Sequence, residues 1–342
     1  MNKTVRILLL PLVLLLSGAC AKDNSLSTGE KARLQLADWI SLYLDDAQPQ
    51  SSGIYLLEDT PGNGKAWSAD SAYTYAEVTI RALDGSVSST TEEHWARQLG
   101  TYASGNYYGP HFMQTGEGIS YAGVDAMLTG MKAGGSRSAI IPAWLLTSSR
   151  YSTQQEYINA CSSSSHALYT IRLAGQSNDL VRTEADSLRS YVTRHYGADK
   201  LSTTYTSDDP DGSFYFISDS TAFVGTPYVT RDTTLTLNYT GRLLNGQVFD
   251  TTDERTAKDA GIYDSGKTYE PVSIYLSSTY SSITMDGSSV IGGFQGGLHL
   301  MRWKGQKAHV LFSSAHGYSS TGSGNTIPSY SPLLFELELV KK

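Results

Sequence analysis

The residues best suited to do chemistry lie around a tight turn in the segment LNYTGRLLNGQVFDTT, residues 237–252. Asn245-Gly246 is a dipeptide typical of a two-residue hairpin turn. The strand that holds Tyr239 is therefore expected to pair with the strand that holds Phe249 and Asp250. Such a hairpin places a tyrosine hydroxyl, an aromatic ring and a carboxylate together. Taken alone, Asp250 also fits a strand-end residue that caps a turn.

Several other chemistries lack their motifs in this sequence. It has no His-Glu-x-x-His, Cys-x-x-Cys or calcium-loop pattern, and its 7 histidines are scattered, so no metal site is predicted. GNGK at 62–65 lacks the rest of a phosphate-binding loop, and no Gly-x-Ser-x-Gly elbow presents a nucleophile. The formal net charge of −7, without a basic face, argues against a nucleic-acid partner. No cofactor is expected.

Length and internal repeats indicate two domains. The chain has 342 residues, of which 40% are hydrophobic and 23 are tyrosine, which suits two packed, tyrosine-rich units. Apolar residues recur at intervals of three and four residues in two segments, which predicts a short helix in each. The segments are SYAGVDAMLTGM (120–131) and VIGGFQGGLHLM (290–301). Two further segment pairs occur in the same order: GSVSSTT with GQVFDTT, and the alternating strands ALYTIRL with LLFELEL.

The remaining elements complete a predicted α+β fold, with an antiparallel sheet wrapped over one short helix in each unit. A Ser27–Glu30 capping box begins an amphipathic helix with Leu36, Trp39, Ile40 and Tyr43 on one face, and a second helix, capped by Asn178, links the units. The Ser/Thr/Asp-rich stretches 253–268 and 277–289 are predicted loops. The expected organisation is a signal peptide (1–20), a tether and short helix (21–52), a first unit (53–176), a linker helix (177–205) and a second unit (206–342).

The region from Thr234 to Val340 resembles the FKBP-type peptidyl-prolyl cis/trans isomerases, the macrolide-binding rotamases. Four motifs in family order carry the resemblance: YTGRLLNGQVFDTT, VIGGFQGGLHLM, GQKAHVLFSSAHGYS and IPSYSPLLFELELV. The resemblance implies an isomerase that acts on proline-containing polypeptides, with macrolides as further ligands and without a cofactor.

The resemblance also implies a set of pocket residues. The expected catalytic residues are Tyr239 and Phe249 in the aromatic walls, Asp250 beside them, Ile291 and the hydroxyl donor Tyr318. The expected substrate-binding residues are Val272, Val290, Phe294, Ile327 and Phe335. Among these, Phe294 stands where tryptophan is commonest, and Val272 where the family often has phenylalanine. Ser313 and Ser319 replace a usual proline and glycine.

The first unit keeps the skeleton and loses the pocket residues. Ile80 is expected at the position of Tyr239, Ser88-Ser89 at Phe249-Asp250, Ser120-Tyr121 at Val290-Ile291, Val124 at Phe294 and Thr147 at Tyr318. The first unit is therefore expected to be a non-catalytic FKBP-like domain that serves as a spacer, dimerisation unit or binding surface. Its segment GTYASGNYYGPHF (100–112) fits either a contact patch or a structural loop.

The first twenty residues read as an export signal. Lys3 and Arg6 precede an apolar run, and LSGAC (16–20) resembles the lipobox of bacterial lipoproteins, with Ser17 where leucine is usual. Acylation of Cys20 would anchor the chain to a membrane, and AKDN after it resembles a tag for the outer surface. A plain secretory signal is the alternative. Cys161 is expected to be a small core residue.

These observations lead to one expected function and two alternatives. The expected function is an outer-membrane lipoprotein isomerase, facing the periplasm or the cell surface, that assists folding of proteins there. The first alternative is a non-catalytic FKBP-like binding or scaffold lipoprotein, motivated by Phe294, Val272 and the altered first unit. A surface component that captures glycans or peptides is the second.

Overall fold

A computed structural model describes residues 26–201, 212–218 and 227–340. Within these ranges the chain forms two antiparallel β-sheets with helices packed on them, which confirms the predicted α+β class. The predicted signal peptide with Cys20 lies outside the described residues, and so does the expected boundary at 205/206. No helix in the described part of the chain has the length and apolarity needed to span a membrane.

The first sheet is built from the N-terminal half of the chain. Its strand order is β1-β5-β6-β2-β3, and β4 also pairs with β2. The strands are β1 (Tyr55–Thr60), β2 (Tyr73–Arg81), β3 (Val87–Thr90), β4 (His111–Gln114), β5 (Ser136–Ile141) and β6 (Ala167–Ser177). The helices are α1 (Thr28–Tyr43), α2 (Glu93–Gln98), α3 (Ala122–Leu128), α4 (Gln154–Ala160) and α5 (Leu180–His195).

The second sheet is built from the C-terminal half. Its order is β12-β11-β10-β8-β14-β13-β7, and β9 also pairs with β8. The strands are β7 (Phe214–Ile217), β8 (Thr233–Leu243), β9 (Val248–Thr251), β10 (Val272–Leu276), β11 (Thr284–Met285), β12 (Ser288–Ser289), β13 (Lys307–Phe312) and β14 (Leu333–Leu339). The helices are α6 (Glu254–Asp259) and α7 (Gly292–Leu300).

The two sheets share one topology. The first sheet contains the order β1-β5-β6-β2, and both β3 and β4 pair with β2. The second sheet contains the order β7-β13-β14-β8, and both β9 and β10 pair with β8. The short helices α3 and α7 occupy the same place in the two units and bury the predicted apolar residues, apart from Tyr121, which is 44% exposed, and Ile291, which is half-buried. The internal repeat read from the sequence is therefore a repeat of the fold.

Helices α1 and α5 each belong to one core. Ser27 caps α1 by accepting a 3.2 Å hydrogen bond from the Glu30 N–H, and the buried face of α1 packs into the first unit. That face is narrower than expected, since Tyr43 is exposed. Helix α5 begins one residue later than the sequence suggested, because Asp179, not Asn178, accepts from the Arg182 N–H. Its inner face packs on the second sheet.

The stretches 253–268 and 277–289 are more ordered than the predicted loops. Asp253 accepts a 2.7 Å hydrogen bond from the Thr256 N–H and so begins α6, an N-cap signal that the polar composition hid. The second stretch holds β11 and β12, which form a small hairpin that extends the sheet beyond β10.

Candidate active site

A cavity of about 480 Å³ opens in the second unit between the β8–β9 hairpin, the start of α7 and the segment after β13. All the predicted pocket residues except Val272 line it. They are Tyr239, Phe249, Asp250, Val290, Ile291, Phe294, Tyr318, Ile327 and Phe335. The fold thus brings together side chains from segments far apart in the sequence.

The base of the cavity is a cluster of aromatic rings in edge-to-face contact. Phe294 and Phe335 meet with ring centroids 4.9 Å apart at 77°, and Tyr239 meets Phe294 at 5.7 Å and 84°. Phe249 meets Phe335 at 5.5 Å and 81°. Aromatic pairs favour this geometry because the positive ring edge faces the negative ring face. Phe294 and Phe335 are almost fully buried, so the floor is apolar.

A glycine in β8 lets these rings approach the backbone. Gly241 lies opposite Asp250 on one side and Phe335 on the other. A Cβ atom at Gly241 would come within 2.4 Å of the Phe249 ring and 3.0 Å of the Phe335 ring. The absent side chain of Gly241 is therefore a condition for the aromatic walls.

The Asp250 carboxylate is held at the cavity edge by three donors. The Tyr239 hydroxyl donates to Asp250 Oδ2 at 2.5 Å, and the Thr251 N–H donates to Oδ1 at 2.9 Å. The Lys267 ammonium also donates to Oδ1 and forms an ion pair with it. These contacts fix both oxygens of a carboxylate whose side chain is still 40% exposed.

Two tyrosine hydroxyls at the site stay protonated. Burial raises the pKa of Tyr239 far above its usual range, and the negative charge of Asp250 raises it further. Burial, followed by the charge of Asp250, also raises the pKa of Tyr318. Both groups therefore act as hydrogen-bond donors at neutral pH. Tyr239 uses its proton on Asp250, whereas Tyr318 stands at the cavity wall.

Helix α7 presents its N-terminus to the cavity. Its N-cap residue is Ile291, which has no side-chain group that could accept a hydrogen bond. The first N–H groups of any α-helix lack intrahelical acceptors. A carbonyl oxygen of a bound peptide could accept from them.

Comparison with known proteins agrees with this geometry. Residues 225–340 match the family described as FKBP-type peptidyl-prolyl cis-trans isomerase. An FK506-binding protein of Neisseria meningitidis serogroup A is 31% identical over 107 residues, which are 31% of this chain and 77% of that protein. The chain belongs to the FKBP-type isomerase family.

Two longer relatives match over a similar length of this chain. A probable FKBP-type peptidyl-prolyl cis-trans isomerase of Haemophilus influenzae is 32% identical over 107 residues, 31% of this chain and 34% of that protein. The macrophage infectivity potentiator of Trypanosoma cruzi is 34% identical over 106 residues, 30% of this chain and 40% of that protein. The match thus spans little more than a third of the length of these two relatives.

A solved structure of wheat FKBP73, with three FKBP domains, aligns with 85% of this chain and 94% of its own chain. The identity is 16% and the TM-score 0.27.

The structure separates Val272 from the FKBP-type pocket. Val272 lies in β10 opposite Leu237 and packs on the core of the second unit. Met285 lines the cavity in addition to the expected residues, because the β11–β12 hairpin folds beside it. Sequence reasoning missed Met285 because the hairpin was taken for a loop. It also missed Lys267, since nothing in the local sequence links this residue to Asp250.

Two departures from the family pattern have local explanations. Ser319 adopts φ +49°, a left-handed conformation in which the family's usual glycine is unstrained. Ser313 donates its N–H to the Ser213 carbonyl at 2.8 Å, a hydrogen bond that the usual proline could not make. Both substitutions leave Tyr318 at the cavity wall.

The strand register corrects one position in the first unit. Val78, not Ile80, corresponds to Tyr239, because each donates its N–H at 2.9 Å to the equivalent threonine hydroxyl, Thr91 or Thr252. Ile80 corresponds to Gly241, since it lies opposite Ser89 and Tyr169 as Gly241 lies opposite Asp250 and Phe335. A shift of two residues leaves the same face buried, so the alternating pattern alone could not detect the error.

A tyrosine-rich loop is also duplicated. In GTYASGNYYGP (100–110), Tyr102 and Tyr108 stack at 5.4 Å; in GIYDSGKTYEP (261–271), Tyr263 and Tyr269 do the same at 5.4 Å. Asn106 of the first loop therefore stands where Lys267 stands in the second, so the first unit lacks the cation as well as the carboxylate.

Proposed function

We propose that the second unit catalyses cis/trans isomerisation of prolyl peptide bonds in polypeptides. The barrier to this rotation is about 18–20 kcal/mol because twisting removes amide resonance. No bond is made or broken, so the requirement is a site that binds the twisted amide better than the planar one. The twisted amide has less charge separation, and an apolar cavity that excludes water favours it.

The aromatic floor joined to an oriented carboxylate is the observation that carries this proposal. The rings of Phe249, Phe294 and Phe335 offer the proline ring an apolar seat. Asp250 faces the electropositive carbon of the substrate carbonyl from the cavity edge. Tyr318 and the N-terminal N–H groups of α7 donate to neighbouring carbonyl oxygens, which positions the chain on either side of the twisted bond.

An isomerase assay on the full chain tests the proposal. The substrate is a proline-containing tetrapeptide, and the matched variants are Asp250→Ala and Tyr318→Phe. We expect turnover well above the solvent rate for the unmodified chain and a clear loss in both variants. A wild-type rate equal to that of solvent would reject the isomerase assignment.

The first unit is proposed to be inactive as an isomerase. The second unit has Tyr239, Asp250 and Tyr318 where the first unit has Val78, Ser89 and Thr147. The first unit therefore lacks the two tyrosine hydroxyls and the carboxylate of the candidate site. Any activity that Asp250→Ala retains above the solvent rate is then expected to come from the altered second site. A large residual rate that an additional Phe335→Ala does not lower would place activity in the first unit.

A non-catalytic binding module is the second candidate function. Phe294 in place of the usual tryptophan reduces ring area at the floor and removes an N–H donor. Titration with an FK506-type macrolide separates binding from catalysis, because the ligand needs the cavity and no turnover. Saturable binding without measurable isomerase activity would favour the binding module.

The site of action is proposed from the sequence of residues 1–25. The LSGAC segment supports acylation of Cys20 and attachment to the outer membrane, where the chain would assist folding of periplasmic or cell-surface proteins. Metabolic labelling with a radioactive fatty acid tests this, with Cys20→Ser as the control. Equal labelling of both proteins, or none of either, would remove the anchor from the proposal.

A further inference from the structure

A second cavity, of about 550 Å³, lies between the two units. One wall comes from the first unit, from β3, α2 and the tyrosine-rich loop that follows. The other wall comes from the segment 321–329 of the second unit. We call this cavity the interdomain cleft.

The interdomain cleft and the candidate active site share a wall. Ile327 lines both cavities. The segment that carries it is a closed loop, since the Tyr330 N–H donates to the Ser319 carbonyl at 2.8 Å and the Ser323 N–H to the Ile327 carbonyl at 2.8 Å. The two cavities therefore lie next to each other at this loop.

Hydrogen bonds between the units hold the cleft in shape. The Tyr107 N–H donates to the Asn325 carbonyl at 2.7 Å, so the shared loop is tied to the first unit. The Gln247 side-chain amide donates to the carbonyls of Gly105 and Asn106 at 3.2 and 3.1 Å. Tyr107 also packs against the core of the second unit. The tyrosine-rich segment is thus an intramolecular contact that builds one wall of the cleft.

The described residues that line the cleft carry no Asp, Glu, Lys or Arg side chain. Hydroxyls of Ser88, Ser89 and Thr90 and the amide of Asn106 offer donors and acceptors, and Leu99 contributes an exposed apolar surface. The one titratable imidazole, His111, has its pKa lowered by burial and is neutral at neutral pH. An extended backbone with small uncharged side chains can form hydrogen bonds with the hydroxyl and amide groups of these walls. A charged side chain would lose its hydration there without gaining a counter-ion.

We propose that the interdomain cleft is an accessory subsite for the uncharged, extended stretch of polypeptide that flanks the proline held in the second unit. The inference rests on the proposed function, since the occupant is the same chain whose prolyl bond is isomerised. It gives the first unit a role in substrate binding that needs none of the catalytic groups that it lacks.

Peptides of two lengths test the subsite on the full chain. One is a fluorescent proline-containing tetrapeptide; the other has about twelve Ala, Ser and Thr residues around one proline, enough to reach past the shared loop at ~3.3 Å per residue. Ser89→Trp fills the cleft from an exposed position, and Ser164→Trp makes the same change at an exposed position elsewhere on the first unit. Binding is followed by fluorescence anisotropy.

The expected result is a length advantage that depends on the cleft. The long peptide should bind the unmodified chain and Ser164→Trp about five-fold or more tightly than the tetrapeptide, and Ser89→Trp should lose this advantage while binding the tetrapeptide as before. Equal affinities for both peptides in the unmodified chain, or an equal loss for both in Ser89→Trp, would overturn the proposal.

Hydrogen exchange provides a measurement that needs no variant. The long peptide, but not the tetrapeptide, should slow exchange of backbone amides in residues 88–91 and 101–108, and no difference between the peptides would count against the cleft. These binding results are independent of turnover. A chain that shows the length advantage but no isomerase activity would contradict the proposed function and leave the subsite in place.

Discussion

The Tyr239 hydroxyl donates a 2.5 Å hydrogen bond to Asp250 Oδ2 across the β8–β9 hairpin. This bond joins a wall of the cavity to the carboxylate at its edge and fixes the direction in which the carboxylate faces. Because burial keeps the Tyr239 pKa high, the hydroxyl retains the proton that it donates in this bond at neutral pH. Tyr239 therefore orients Asp250, and in the proposed isomerase Tyr318 is the hydroxyl that donates to the substrate.

The first prediction concerns this hydrogen bond. Tyr239→Phe keeps the ring and removes the donor, so Asp250 loses one of its three partners. We expect kcat/KM for a prolyl tetrapeptide to fall about ten-fold, which corresponds to ~1.4 kcal/mol of transition-state stabilisation. The loss should appear mainly in kcat, because the apolar seat for proline is unchanged. A variant with normal kcat and raised KM would contradict the orienting role.

The second prediction orders the effects of Lys267 and Asp250. The ion pair between them is substantially exposed, so its net contribution is at most about 1 kcal/mol. Lys267→Ala should lower kcat/KM by less than Asp250→Ala does, and its effect should shrink at high salt. Lys267→Arg serves as the control that keeps the charge. Equal losses in Lys267→Ala and Asp250→Ala would show that the cation is essential to the site.

The third prediction couples Gly241 to Phe249. A methyl group at Gly241 would overlap the Phe249 ring, so Gly241→Ala should lower the free energy of unfolding by about 2 kcal/mol and weaken macrolide binding. The first unit carries Ile80 and Ser88 at these two positions, which indicates that the side chains are exchanged together. In a Phe249→Ser background, Gly241→Ala should therefore cost at least ~1 kcal/mol less. Urea titration of the four proteins measures this coupling, and additive losses would argue against the overlap.

The fourth prediction concerns pH and the linker helix. Glu184 in α5 is 4% exposed and accepts hydrogen bonds from the Ser314 N–H and Oγ at 2.6 and 2.7 Å. Burial raises the pKa of Glu184 above its ordinary value of 4.5, although the hydrogen bonds from Ser314 oppose this. A raised folded-state pKa means that the unfolded chain ionises first as pH rises. The contribution of Glu184 to stability is therefore greatest below pH 4.5 and falls until the pH passes the folded-state pKa.

Comparison with Glu184→Gln isolates this effect from all other groups. As the pH rises above 4.5, the melting temperature of the unmodified chain should fall relative to that of Glu184→Gln, and the difference should level off once the pH exceeds the raised folded-state pKa. Carbon-13 NMR of the Glu184 carboxyl gives the folded-state pKa directly. A melting-temperature difference that is independent of pH, or that grows in favour of the unmodified chain, would contradict the sign of this shift.

Much of the site could be predicted because its signals are local. Asn245-Gly246 specifies a hairpin, and the hairpin by itself brings Tyr239 near Asp250. Helical spacing in residues 290–301 buries Phe294 beneath the same cavity. Turn type and the periodicity of apolar residues are properties of short segments, so these signals alone indicated the α+β class and the repeated order of elements. Most of the other cavity residues, among them Tyr318, Ile327 and Phe335, were expected from the resemblance to the FKBP-type family.

The tertiary structure decided what depends on register and on contacts between distant segments. Val78 and Ile80 face the same way along β2, and only the ladder with β3 and β6 shows which of them matches Tyr239. The contact of Lys267 with Asp250 depends on how a loop closes over the hairpin, and the interdomain cleft depends on how the two units meet. The alternation of apolar residues along a strand is the same after a register shift of two residues, and it contains no information on contacts between distant segments.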